Sequence, residues 1–321
     1  MRIGVLMGGR SPEREISIKT GTNIVNALNK AGHDAVGIDA QKDVVDRIRQ
    51  EKIDLAFIAL HGPYGEDGTI QGLLEFLDIP YVGSGVMASS VAMNKVMTRK
   101  FFKSIGVKIP PGYNFFAELL DTREGICRIT SKAKDAGVSL PVIVKPSVGG
   151  STIGMTIVRE ENQLMDAWRL AAEYCREILV ERYLPGTEIT VGVLGDIEPF
   201  ALPVIEIIAQ GGWYNYTTKY QPGMSTHIIP ARIPDKFYRK AQEESVRIFS
   251  ELYCLGMARV DFIVSGDDLW CLEINTIPGM TETSLLPEAA ANAGINFEKL
   301  LTDQVEYALA RHQRDRKAVG V

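Results

Sequence analysis

Three oxygen-bearing side chains, Asp261, Glu273 and Asn275, stand in two short apolar runs at spacings that suit coordination chemistry. In Arg259-Val260-Asp261-Phe262-Ile263-Val264, alternation along a strand puts Arg259 and Asp261 on one face and sends Val260 and Phe262 to the core. Leu272-Glu273-Ile274-Asn275 repeats the pattern at a spacing of two, and the two runs lie close enough to pair as a hairpin. Two carboxylates and an amide oxygen, without His or Cys, form a hard donor set that fits Mg²⁺ on nucleotide phosphates better than zinc or copper. A solvated strand face is the alternative reading.

A second constellation is the loop Lys145-Pro146-Ser147-Val148-Gly149-Gly150-Ser151-Thr152-Ile153-Gly154. Its glycines and hydroxyls expose backbone N–H groups with little steric bulk, which suits a phosphate cradle, although a flexible hairpin would read the same. It is not a Walker A loop, because the lysine precedes the glycines. Glu13-Arg14-Glu15 follows a glycine turn and suits an exposed helix start, where acids favour the macrodipole. His61, in His61-Gly62-Pro63-Tyr64-Gly65-Glu66-Asp67-Gly68, follows an apolar run and is either structural or functional. The polar aromatic stretch from Trp213 through Asn215, Lys219 and Tyr220 reads as a long loop of the kind that forms lids.

The elements that must position these groups follow from apolar patterning. Residues 2–7 form an apolar run ending at Gly8-Gly9, residues 17–28 carry helical spacing, and further strand-like runs occupy 55–60 and 79–83. Strands alternating with helices predict an open, mainly parallel sheet with ligands at the carboxyl ends of its strands, where Gly8-Gly9 and His61-Gly62 fall. From Lys95 the pattern changes to a helix reaching residue 105, a turn at 109–112, and strands at 141–145 and 155–158 around the glycine loop. Leu184-Pro185-Gly186 breaks the chain before strands at 188–194, 201–207, 257–264 and 269–274, and helices at 235–252 and 297–312. Three domains are expected, over residues 1–94, 95–183 and 184–321.

Composition narrows the classes. With 35 basic against 40 acidic side chains and a net charge of −5, there is no basic excess to bind a nucleic-acid backbone. The four cysteines, Cys127, Cys175, Cys254 and Cys271, are scattered and include no C-x-x-C pair, as expected of reduced thiols in a cytoplasmic protein. The apolar start is too short for a signal segment or a membrane span and reads as a buried strand.

Taken in order, these segments resemble the D-alanine:D-alanine ligases of the ATP-grasp superfamily over essentially the whole chain. The resemblance is most specific in His61-Gly62 with residues 65–72, in the 145–154 loop, and in Glu273-Ile274-Asn275-Thr276-Ile277-Pro278-Gly279-Met280-Thr281. It implies a mixed α/β and α+β, three-domain ATP-grasp fold whose N-terminal domain is an open parallel sheet. It implies ATP, with two Mg²⁺ or Mn²⁺ ions held by Asp261, Glu273 and Asn275, and an acyl phosphate formed on the first D-alanine. The same resemblance makes Lys95 and Lys145 phosphate ligands, lays the glycine loop with Gly150 and Ser151 over the phosphates, counts Lys219 among the ATP-binding residues, sets Glu181 and Leu184 at the adenine, and gives the ribose to Glu188. Glu13 matches the contact to the first substrate's ammonium and joins Ser151 and Tyr220 in a hydrogen-bonded positioning group. Arg259 and the Gly279 N–H match the stabilisers of the tetrahedral intermediate, while His61, Ser284 and Leu285 match the second-substrate site. Tyr220 favours peptide over ester synthesis, Trp213 and Asn215 depart from the usual Phe and Asp of the lid, and a homodimer is the implied assembly.

Overall fold

The apolar run that opens the chain is an inner strand of a four-stranded parallel sheet in a computed structural model describing residues 1–150, 152–209, 224–281 and 284–319. The first third runs β1 (Arg2–Met7), α1 (Arg14–Lys30), β2 (Asp34–Asp39), α2 (Val44–Glu51), β3 (Leu55–Ile58), α3 (Thr69–Phe76), β4 (Tyr81–Val82) and α4 (Val86–Met93). The strand order is β2-β1-β3-β4 with every pair parallel, as the alternation of strands and helices leads one to expect. Apolar side chains go to both faces: Ile3, Val5 and Phe57 join one core, while Leu6, Ile58 and Ile70 join another. Gly8, Gly9 and Gly62 all take positive φ, turning the chain sharply beyond the carboxyl ends of β1 and β3.

A second, antiparallel sheet follows a single connecting helix. The elements are α5 (Lys95–Ser104), β5 (Gly112–Phe116), α6 (Arg123–Asp135), β6 (Val142–Pro146), β7 (Thr156–Val158), α7 (Leu164–Tyr174) and β8 (Glu177–Arg182), with sheet order β5-β8-β6-β7. Asn94 starts α5 with a side chain that accepts from the Val96 and Met97 N–H groups, so the helix begins at Lys95. The sheet has its own core of Phe115, Val144, Trp168 and Val180.

The remaining elements are β9 (Thr187–Gly195), β10 (Phe200–Ala201), β11 (Ile205–Ala209), β12 (Ser225–Ile228), α8 (Asp235–Glu251), β13 (Gly256–Ser265), β14 (Asp268–Asn275), α9 (Leu285–Asn292) and α10 (Phe297–Val319). The run expected at 201–207 is two strands, split where Leu202 and Val204 turn into the core on either side of Pro203. The third sheet has order β12-β11-β9-β13-β14, with β10 beside β9. The expected hairpin is present as β13 against β14, pairing Asp261 with Glu273 and Arg259 with Asn275, and a bulge falls between Asp261 and Phe262. Leu300, Leu301, Val305 and Ala308 of α10 return to the first core, the one that holds Ile3, Val5 and Phe57.

Candidate active site

A cleft in two adjoining halves runs between the sheets. One half is lined by Glu13, His61, Asn275, Gly279, Ser284 and Leu285, and the other by Lys145, Glu181, Leu184, Glu188 and Asp261. The halves share a wall of Lys95, Gly149, Gly150, Arg259 and Glu273. Every site residue expected from sequence that falls among the described residues therefore lines this cleft. Ser151, Lys219, Tyr220, Trp213 and Asn215 lie outside the described residues.

In the first half, Glu13 sits at the start of α1 but is only 5% exposed, so the exposed helix start is ruled out. Two glycines make room for its carboxylate: a Cβ on Gly62 would stand 2.7 Å from Oε2, and one on Gly150 would stand 3.0 Å away. Ser11 ties the two loops together, its hydroxyl donating to the His61 carbonyl at 2.6 Å and accepting from the Glu13 N–H at 3.1 Å. His61 is buried, with Nε2 3.2 Å from the Thr20 hydroxyl. Behind this turn, Arg14 donates to both oxygens of Asp39 at 2.7 and 2.8 Å, and those hydrogen bonds hold the Asp39 carboxyl down at about 2. At the far end, the Ser284 hydroxyl accepts from the Thr281 N–H at 2.9 Å, just ahead of α9.

The second half is built on charge. Glu181 is paired with both Lys145 and Arg99, and all three are buried. Burial pushes the Glu181 carboxyl up, but Lys145 and Arg99 together outweigh it and hold it below the usual carboxylate range. On the shared wall, the Lys95 ammonium donates to the Gly149 carbonyl at 2.7 Å and lies 3.6 Å from Glu273. The Lys95 N–H also donates to Ser147, anchoring the glycine loop to the first turn of α5.

On β13 the face is not solvated, since Arg259 is 5% and Asp261 8% exposed, whereas the Glu273 side chain across from Asp261 is 41% exposed. Arg259 grips Asp261 through Nε and Nη2 at 3.0 and 2.9 Å, and Thr190 donates to the same carboxylate at 2.5 Å. The register brings Glu273 across from Asp261, with Asn275 two residues on, its amide oxygen accepting from the Ile277 N–H at 3.0 Å. Among the described residues no three His, Cys, Asp or Glu side chains gather as a metal cluster. The donor set on this hairpin is two carboxylates and an amide, which suits a hard divalent cation that keeps phosphate or water as its other ligands.

Sequence reasoning missed Arg99, Thr190 and Thr20, and named Glu66 without a role. Glu66 accepts from the Gly62 N–H at 2.5 Å and closes the turn that follows His61. A signal for Arg99 existed, since it lies four residues after Lys95 and so on the same side of α5.

Comparison with known proteins agrees over nearly the full length. The family model described as D-ala D-ala ligase C-terminus matches residues 101–306, and that described as D-ala D-ala ligase N-terminus matches residues 41–84. The chain is 50% identical over 310 residues to a D-alanine–D-alanine ligase of Pelotomaculum thermopropionicum, covering 96% of this chain and 97% of that one. It is 46% identical to one from Desulforamulus reducens, covering 96% and 99%. Among solved structures, the D-alanine–D-alanine ligase of Bacillus anthracis complexed with ATP superposes with a TM-score of 0.81 at 30% identity, covering 98% of this chain and 99% of the other.

Proposed function

The chain belongs to the D-alanine–D-alanine ligase family, and on that premise we propose the part that each residue of the cleft plays. The reaction is the ATP-dependent joining of two D-alanines to D-alanyl-D-alanine, a product for peptidoglycan synthesis, and ATP and Mg²⁺ serve it; Mn²⁺ is an alternative ion. A D-lactate or D-serine acceptor, or a non-catalytic regulator, is not favoured. The shared wall carries our reading of the site, because a phosphoryl group must pass from nucleotide to amino acid where the two halves of the cleft meet.

On the nucleotide side, Lys95, Lys145 and the N–H groups of the loop at Gly150 receive the phosphates, with Ser151 and Lys219 completing the set. Leu184 and the backbone at Glu181 take the adenine, since the Glu181 carboxylate is already engaged by two cations, and Glu188 takes the ribose. Asp261, Glu273 and Asn275 would hold Mg²⁺, whose positive charge would offset that of the nucleotide phosphates. On the other side, Glu13 orients the ammonium of the first D-alanine, and Ser151 and Tyr220 complete its positioning. The D-alanine carboxylate oxygen attacks the γ-phosphorus, ADP leaves, and an acyl phosphate results. The amine of the second D-alanine, whose carboxylate rests at Ser284 and Leu285 near His61, attacks the acyl carbon. Arg259 and the Gly279 N–H stabilise the tetrahedral oxyanion until phosphate leaves and the amide remains.

Residues 1–94, 95–183 and 184–321 are assigned as the three lobes of an ATP-grasp enzyme. No helix among the described residues is long and apolar enough to cross a membrane. A cytoplasmic homodimer acting on small molecules rather than nucleic acid completes the proposal. Phosphate release from ATP and Mg²⁺ is measured with D-alanine, L-alanine, or D-alanine plus D-lactate, with Glu273→Gln as control. Release with D-alanine alone that disappears in the control supports the assignment of Glu273; an equally active control removes it.

A further inference from the structure

We propose that Arg99 is a positioning residue for ATP: by supplying the second cation to Glu181, it leaves the Lys145 ammonium able to hold the nucleotide phosphates. The proposal rests on the reading of Lys145 given above. Arg99 does not line the cleft. It stands one turn beyond Lys95 on α5, a helix whose Phe102 and following Val107 and Ile109 belong to the core of the third sheet. From there its guanidinium reaches the second sheet, pairing with Glu181 of β8 and donating through Nη2 to the Pro110 carbonyl at 2.8 Å. Glu181 is 3% exposed, and Lys145 and Arg99 are each 7% exposed.

The charge count makes the point. One carboxylate and two cations give the buried triad a net charge of +1, a favourable setting for an anion at low dielectric. Without Arg99, Glu181 would be a buried carboxylate with Lys145 as its one cation in the triad, and the lysine would be drawn into a closed one-to-one pair. Arg99 also joins the helix that begins at Lys95 to the strand facing Lys145, so the spacing of the two phosphate-binding lysines depends on it. Lysine at this position keeps the charge but loses the fork that serves Glu181 and Pro110 together.

The test is steady-state kinetics on folded Arg99→Met and Arg99→Lys enzymes, varying ATP and D-alanine separately, with Lys145→Met alongside. The expected result is an ATP KM raised about tenfold in Arg99→Met, a smaller rise in Arg99→Lys, and D-alanine constants within about twofold of the parent, the size of a lost charge-assisted hydrogen bond. An unchanged ATP KM in Arg99→Met overturns the proposal, as does a parallel rise in all substrate constants, which marks a general structural defect. If Arg99→Met does not fold, Arg99→Lys alone decides: a selective rise in ATP KM supports the role and no change removes it. An unaltered ATP KM in Lys145→Met would instead sink the reading of Lys145 itself, whatever Arg99 does.

Discussion

The Glu13 carboxylate and Gly150 share one small volume, since a Cβ at residue 150 would stand 3.0 Å from Glu13 Oε2. The glycine loop after β6 and the carboxylate at the start of α1 are thus fitted to each other. Gly150→Ala should push Glu13 aside by a few tenths of an ångström and raise the KM for the first D-alanine by about threefold to tenfold. Gly62→Ala should do more, because its Cβ would meet Oε2 at 2.7 Å and its φ of +71° disfavours any side chain, at a further cost of about 1 kcal/mol. Initial-rate kinetics and thermal melts of the two variants separate the effects; an unchanged KM in both would remove Glu13 from the ammonium.

Acid should weaken the packing around the first sheet through Asp39. Its carboxyl ordinarily titrates near 3.8 and is held at about 2 by Arg14. A depressed value stabilises the folded state fully above the unfolded value and loses that contribution as pH falls through the folded one. With allowance for solvent screening the contribution is about 1 kcal/mol. Denaturant unfolding of the parent and Asp39→Asn at stepped pH should therefore show a difference that closes between about pH 4 and pH 2; a constant difference would show that the Arg14 pair is not its source.

The Arg259–Asp261 pair should matter to stability as well as chemistry. Arg259→Met leaves a buried carboxylate with Thr190 still donating to it, and breaking such a pair costs about 3 kcal/mol. Urea unfolding should show that loss together with near-complete loss of phosphate release. A variant as stable as the parent would mean that solvent reaches Asp261.

His227 of β12 offers a more selective case. Its Nδ1 lies 2.6 Å from Glu288 of α9, the helix whose first residues follow Ser284. His227→Gln and Glu288→Gln should each raise the KM of the second D-alanine about threefold while leaving the ATP KM alone, and the double variant should be no worse than either. Additive losses in the double variant would show that the two side chains act separately.

How much of this was legible in the sequence depends on how local its cause is. The β13–β14 hairpin was readable because alternation of Arg259, Asp261, Glu273 and Asn275 against Val260, Phe262 and Ile274 needs nothing beyond the strand period. The bulge after Asp261 was not, since it arises from pairing. The short strands β2 and β5 escaped because Asp34–Asp39 and Gly112–Phe116 lack clean alternation and owe their form to neighbours in their sheets. The burial of Glu13 was hidden too: a Glu-Arg-Glu run looks like a solvated helix start until loops from two other segments close over it. Arg99 was missed for the same reason, as its partner lies 82 residues away.

The return of α10 to the first sheet gives the chain an order of assembly. Ile3, Val5 and Phe57 leave a ribosome well before the helix bearing Leu300, Leu301, Val305 and Ala308, which shares their core. Until that helix is made, the core of the first sheet lacks part of its apolar packing. A message truncated shortly before residue 297 would yield a protein containing most of the active-site residues but lacking the helix that completes this core.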